Sequence, residues 1–285
     1  MNKKFFGLFF AVLIFAAAAL SHAQIAAAES ASGGDGVLKD IKNYKIFYDA
    51  PTPKILAKMK DYSMVIIEPV YYTKQQIDTI KSSGTKVFGY INSMEADNWN
   101  TGLTKYLQPG DYYYNNSQKF YLPEWDAYLM NMSSSHYRSV LIDQIKLHIQ
   151  DKGMDGIFFD TAGDIDDYFC DDAKQLKVQR DGFVSLLQQV KIQFPGKSII
   201  QNWGIDTLTA ASAPYVDGIM WENFNQPIVA KDAWAQEKIK ELTALQKKKT
   251  FTVLTVSNSQ HSKSEWYANT LGFVHYSAKK DYCLW

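Results

Sequence analysis

The chain has 285 residues, 46% of them apolar, and its 30 basic and 30 acidic side chains cancel at neutral pH. That balance excludes a basic nucleic-acid binder, and the two cysteines, Cys170 and Cys283, lack zinc-site spacing and as a single pair make no disulfide framework. A chain of this length can bury one large core, as a barrel or an open α/β sheet.

The chain opens with the basic residues MNKK, the apolar run FFGLFFAVLIFAAAAL and small residues at Ser21 and Ala23, which together predict a secretory signal peptide over 1–23. The run is shorter than the ~20 residues of a membrane-spanning helix, which disfavours a retained anchor, and no later run is long enough to span. Removing Lys3 and Lys4 with the leader leaves 28 basic against 30 acidic side chains. Export also leaves a disulfide between Cys170 and Cys283 open. Residues 24–37 read as a flexible tether, and 38–285 as one domain.

From residue 44 short β-rich runs alternate with longer amphipathic ones, the pattern of βα units around a parallel sheet. Strands are predicted at 44–48, 63–68, 86–91, 127–131, 155–159, 197–202, 217–221, 250–256 and 273–276. Nine is one more than a (β/α)8 barrel holds; 127–131 is the doubtful one, since it follows a long irregular stretch, an insertion after the third strand. Helices are predicted from a cap at Ser133 to Ser135 as far as Asp151, then over 174–194, 231–247 and 262–271. No Gly-x-Gly-x-x-Gly turn follows any strand, so a single TIM-type (β/α)8 barrel is favoured over a doubly wound sheet.

Polar residues terminate the strands: Asp49, Glu68, Asn92 with Glu95 shortly after, Asp160, Asn202 with Trp203, and Glu222. In such a barrel all strands open their C-terminal ends on one face, where these residues converge. Two strands share a phrase, MDGIFFD (154–160) and VDGIMWE (216–222), each closing on a carboxylate. Paired carboxylates are what glycoside hydrolysis requires, one to protonate the leaving oxygen and one to attack or to activate water. The aromatics Tyr48, Tyr90, Trp203 and Trp221 are expected at the same level, where they can stack on sugar rings.

The motifs VIIEP (65–69), GYINSMEA (89–96), DGIFFD (155–160) and DGIMWE (217–222), in that order over nearly the whole mature chain, resemble the secreted endo-α-1,4-polygalactosaminidase family, some of whose members act on the galactosamine-rich Pel biofilm polysaccharide. The resemblance implies a (β/α)8 glycosidase cutting α-1,4 linkages in a galactosamine and N-acetylgalactosamine polymer without metal or cofactor. It implies Asp160 as nucleophile and Glu222 as acid/base in a retaining mechanism, although the carboxylate separation that distinguishes retention from inversion cannot be read from sequence. The remaining expectations are substrate contacts from Asp49, Glu68, Tyr90, Asn92, Glu95, Asn202, Trp203 and Trp221, a monomer with the polysaccharide as its partner, and a place outside a bacterial cell or on its envelope. Ser93-Met94-Glu95-Ala96-Asp97 departs from the family's Gly-Glu-Ala-Glu run, which bears on the sugar subsites rather than on the chemistry.

Five aspartates crowd the loop after Asp160: Asp164, Asp166, Asp167, Asp171 and Asp172. They read equally as an attractor for a cationic polymer and as a solvated loop, with a calcium site a lesser option. Most are expected to point away from Asp160. Tyr112 to Tyr114, Trp99 and Trp125 read as packing of the insertion or as distal subsites. A metal-dependent deacetylase is disfavoured because no histidine pair has ligand spacing. A serine hydrolase lacks its Gly-x-Ser-x-Gly turn, and the rival from another class is a barrel that binds glycan without cutting it.

Overall fold

The computed structural model describes residues 36–279 and 281–285. The expected signal peptide and nearly all of the tether lie outside the described residues. Eight parallel strands form one sheet in chain order: β1 (Tyr44–Phe47), β2 (Met64–Ile67), β3 (Lys86–Asn92), β4 (Gly156–Asp160), β5 (Ser198–Asn202), β6 (Gly218–Trp221), β7 (Thr252–Ser257) and β8 (Val274–Ser277). The sheet is a nearly closed (β/α)8 barrel. Lys45 Nζ bridges the seam between β8 and β1 by donating to the Tyr276 hydroxyl at 2.7 Å, and the Tyr44 hydroxyl reaches past β8 to donate to the Thr255 carbonyl of β7 at 2.8 Å.

Both faces of β1 to β7 are largely buried, which is why they read in sequence as continuous apolar runs, while β8 is half-buried throughout. Alternate residues, among them Ile46, Ile66, Phe88, Phe158, Ile200, Met220 and Leu254, fill the barrel, with Leu38 and Ile41 in the same cluster. The intervening residues meet the helices α1 (Pro53–Met59), α2 (Lys74–Lys81), α3 (Ser135–Ile145), α4 (Ala173–Gln193), α5 (Ala233–Lys248) and α6 (His261–Thr270). Local capping sets where several begin: Ser134 accepts from the Tyr137 N–H, Asp172 from Lys174 and Gln175, and Asp232 from Ala235. After Ile145 the chain of α3 continues as a π turn over Lys146–Gln150.

The expected ninth strand is not part of the barrel. Ala127–Leu129 pairs antiparallel with Glu95–Asp97 and Tyr121–Leu122 in a small separate sheet that folds the insertion after β3. Its apolar alternation is a strand's; only its pairing, with residues 30 to 34 positions earlier on one side, assigns it to the insertion. Packing accounts for two of the tyrosines there, since Tyr113 meets Phe169 edge-on at 4.9 Å and Tyr112 meets Tyr128 at 5.7 Å.

The shared DGI phrase is one structural device used twice. Asp155 accepts the Val87 N–H at 2.9 Å and pairs with Lys81 at 3.0 Å; Asp217 accepts the Ile199 N–H at 2.8 Å and pairs with Lys191 at 3.0 Å. In both units the acid at the strand's start ties down the preceding strand and the helix that leads into it. The glycine that follows admits the next strand: a Cβ on Gly156 would stand 2.5 Å from the Ser198 carbonyl oxygen, and one on Gly218 would stand 2.8 Å from that of Thr252.

Candidate active site

The C-terminal ends of the strands open on a cleft of roughly 680 Å³, within the usual range for small-molecule sites. At its floor Asn202, 4% exposed at the end of β5, stands between two carboxylates. Its Nδ2 donates to Asp160 Oδ1 at 2.6 Å and to Glu222 Oε2 at 3.1 Å. Those two oxygens are therefore no farther apart than about 5.7 Å, the sum of the two bonds.

Each of these strands turns sharply once its functional residue has been placed. Thr161, Trp203 and Asn223, directly after Asp160, Asn202 and Glu222, all have left-handed backbone with φ of 58°, 54° and 57°. A non-glycine residue there costs about 1–2 kcal/mol, and such strain concentrates at functional sites. Local bonds offset it: the Trp203 N–H donates to the Met220 carbonyl at 2.9 Å, and the Thr161 hydroxyl lies 2.6 Å from Asn92 Oδ1 while its oxygen accepts the Met94 N–H at 2.8 Å. Gly163 permits the loop after β4 to pass under Trp203, since a Cβ would come within 2.7 Å of the Trp203 Cβ.

Asp160 Oδ1 also accepts the Thr161 N–H at 2.9 Å. Glu222 is held at both oxygens, with the Tyr282 hydroxyl donating to Oε1 opposite Asn202. Burial, followed by the Asp160 charge, raises the Glu222 carboxyl above the ordinary range, while the bonds from Tyr282 and Asn202 pull it down. A carboxyl so placed keeps its proton closer to neutrality than a free one, as a general acid must.

Glu95 and Asp164 meet on one wall. Burial, reinforced by the Glu95 charge, holds Asp164 well above the usual carboxylate range, so that it keeps its proton beside Glu95. Of the five loop aspartates, Asp166 is turned to Arg180 at 2.8 Å, Asp172 caps α4, Asp171 is exposed, and Asp164 and Asp167 line the cleft. Among the described residues, seven carboxyl side chains and no basic one line it.

Seven of the ten residues singled out from sequence meet in this cleft: Asp160, Glu222, Tyr90, Asn92, Glu95, Asn202 and Trp203. Three do not. Asp49 is exposed beyond the rim, where it accepts the Ala50 N–H. Glu68 caps the turn at Pro69–Tyr71 and faces a neighbouring pocket with Trp99 and His148. Trp221, 2% exposed, is turned outward against Trp203, Phe224 and Trp234. Sequence reasoning left out Asp97, Thr161, Asp281 and Tyr282, and it reached Tyr48 and Trp125 only as aromatics. Tyr48 carried a signal, being two residues beyond the barrel-filling Ile46; Trp125 and Tyr282 come from connecting segments where no periodicity applies.

Cys170 and Cys283 are both free and exposed. Among the described residues no group of three or more His, Cys, Asp or Glu side chains is arranged to hold a metal ion, and no helix is long and apolar enough to cross a membrane.

A model of a protein family described as hypothetical glycosyl hydrolase family 15 matches residues 79–278. Among solved structures, the chain is similar to the glycoside hydrolase domain of PelA from Pseudomonas aeruginosa, at 16% identity and a TM-score of 0.69, over 86% of this chain and 97% of that one. It is similar to Aspergillus fumigatus Ega3, solved in complex with galactosamine, at 16% identity and a TM-score of 0.61, over 85% of this chain and 92% of that one. A noncanonic maltogenic α-amylase from Thermotoga neapolitana follows at 14% identity and 0.56, over 85% and 69%. At these identities the likeness is one of fold. No curated protein sequence matches the chain.

Proposed function

Because the chain belongs to hypothetical glycosyl hydrolase family 15, we propose that it is a retaining endo-glycosidase that cleaves α-1,4 linkages in a galactosamine-rich exopolysaccharide. One observation carries the reading: a single buried amide donates to two strand-end carboxylates, which limits the Asp160–Glu222 oxygen separation to about 5.7 Å. Retaining glycosidases hold their carboxyls about 5–5.5 Å apart and inverting ones about 6.5–9.5 Å apart. Asp160 attacks the anomeric carbon as Glu222 protonates the leaving oxygen, which forms a glycosyl ester. Glu222, now ionised, then takes a proton from water, the water oxygen attacks the anomeric carbon, and Asp160 leaves as the carboxylate.

The sugar is inferred from charge. A cleft lined by seven carboxyls and, among the described residues, by no cation repels anionic glycans and attracts one that carries ammonium groups, and the sequence motifs that resemble polygalactosaminidases point to the same polymer. Tyr90, Asn92, Glu95 and Trp203 are the substrate contacts in this reading. An open cleft admits a chain in mid-length, in keeping with endo action, and the leader assigns the enzyme to the cell exterior or envelope, acting as a monomer.

The test is reducing-end release from partly deacetylated α-1,4-galactosamine polymer, beside Asp160→Asn and a chitosan control. Release that disappears in the variant and is absent on chitosan is the expected result. Retained binding to the polymer with no release from wild type would replace the reading with a glycan-binding barrel.

A further inference from the structure

Residues 281–285 cross the seam between β8 and β1 and bring a side chain from outside the sheet to the proposed acid/base. The Tyr48 N–H donates to the Tyr282 carbonyl at 2.9 Å, and the Tyr282 ring stands edge-on to Tyr48 at 5.5 Å. Beyond it the Trp285 ring packs edge-on against Phe47 at 5.5 Å and Tyr62 at 6.0 Å, with Lys45 Nζ over its face at 5.4 Å. Tyr48 in turn meets Tyr90 at 4.9 Å, on the Asp160 side of the cleft. We propose that Tyr282 is a positioning residue for Glu222, and that Trp285 anchors the strap that delivers it. The inference rests on the assignment of Glu222 as acid/base.

Glu222 has two oxygens, one bonded to Asn202 and the other to Tyr282. With a donor on each side the carboxyl cannot rotate, and its proton is presented to the cleft at a fixed angle. The other titratable groups that face it are Asp160 on β4, Tyr44 on β1 and Tyr48 just beyond β1. Asp160 makes it a weaker acid. The Tyr44 hydroxyl is committed to the Thr255 carbonyl, and no hydrogen bond joins Tyr48 to Glu222. Tyr282 therefore supplies the one phenol bond that favours the ionised carboxylate, the form Glu222 takes once it has given up its proton. Burial and the Glu222 charge keep the phenol protonated through the working pH range, so it is always a donor.

The experiment compares wild type with Tyr282→Phe and Trp285→Ala in two measurements. The first is a carbon-13 NMR titration of the Glu222 carboxyl, identified by its loss in Glu222→Gln. The second is the pH dependence of kcat and KM for reducing-end release. Loss of the phenol bond is expected to move the Glu222 titration, and the basic limb of kcat with it, to higher pH. At the wild-type optimum kcat should fall about 10- to 100-fold, as for one hydrogen bond to a charged group, with KM changed less than about threefold. Trp285→Ala should move the same quantities in the same direction by less. A folded Tyr282→Phe protein in which Glu222 titrates at the wild-type pH overturns the inference, whatever the polymer assay gives. If the titration moves but wild type releases no reducing ends, the glycosidase reading fails and the hold of Tyr282 on Glu222 stands.

Discussion

Replacing Asn202 by alanine removes one nitrogen that serves two carboxylates. Its bonds to Asp160 and Glu222 are 2.6 and 3.1 Å long, and a hydrogen bond to a charged group contributes roughly 1.5–3 kcal/mol. Without it two carboxyls face each other across about 5.7 Å or less; at an effective dielectric of 20 that repulsion is about 3 kcal/mol when both are ionised. Only the share that differs between ground and transition state enters the rate, so a barrier increase of about 3–4 kcal/mol is expected. That is a fall of about 10²–10³ in kcat/KM. The repulsion, and the loss of a bond that favours the ionised form, also make Glu222 a weaker acid, so the basic limb of the pH profile moves upward. The assay is reducing-end release across pH, with near-ultraviolet circular dichroism to confirm the fold. A folded Asn202→Ala enzyme with kcat/KM within threefold of wild type and an unmoved basic limb would refute the bridging role and the close carboxyl pair with it.

Asp160→Asn and Glu222→Gln should each lower kcat by about three orders of magnitude or more while the thermal midpoint stays within a few degrees, read by release assay and calorimetry. Gly163→Ala forces a Cβ to within 2.7 Å of the Trp203 Cβ, so a destabilisation of about 1–3 kcal/mol and a raised KM are expected in urea unfolding and kinetics. Lys191→Ala leaves the part-buried Asp217 without its cation and should cost about 3 kcal/mol in urea unfolding, with kcat of the folded protein unchanged because the pair lies at the opposite end of the barrel. Burial raises Glu68 from 4.5 to about 7, so the folded state binds the extra proton and stability falls as pH rises from about 4.5 through about 7. Glu68→Gln should flatten that fall, by up to about 3 kcal/mol, in unfolding free energies measured across the window.

Much of the site was legible because a strand has period two. Phe158, Ile200 and Met220 fill the barrel, and Asp160, Asn202 and Glu222 are each two residues further on, past the end of the packed interior and on the same side. The same parity puts Trp221, one residue off, against the helices, and turns Asp49 outward while Tyr48 faces the cleft. Reading adjacency to a strand end without parity brought Trp221 and Asp49 into the expected set. Glu68 has the inward parity, but the turn it caps draws it into the side pocket, an effect of tertiary bonding. Tyr282, Trp125 and Asp164 lie outside the barrel strands, where placement depends on contacts far along the chain, such as the bond from the Tyr48 N–H to the Tyr282 carbonyl.

The two DGI units show how one residue type serves two ends of a barrel. Asp155 and Asp217 begin their strands, and each is matched by a lysine and a backbone N–H, so their charge is spent on holding neighbouring elements together. Asp160 and Glu222 lie at the other ends of the same units and meet no cation among the described residues; amide and hydroxyl donors hold them instead. A neutral donor fixes a carboxylate's direction without cancelling its charge, so the group stays able to bond to carbon or to exchange a proton. That no lysine or arginine lines the cleft among the described residues suits the proposed chemistry as much as the proposed substrate. In the proposed reaction a cation beside Glu222 would favour loss of the proton assigned to the leaving oxygen, and one beside Asp160 would weaken the attack assigned to it.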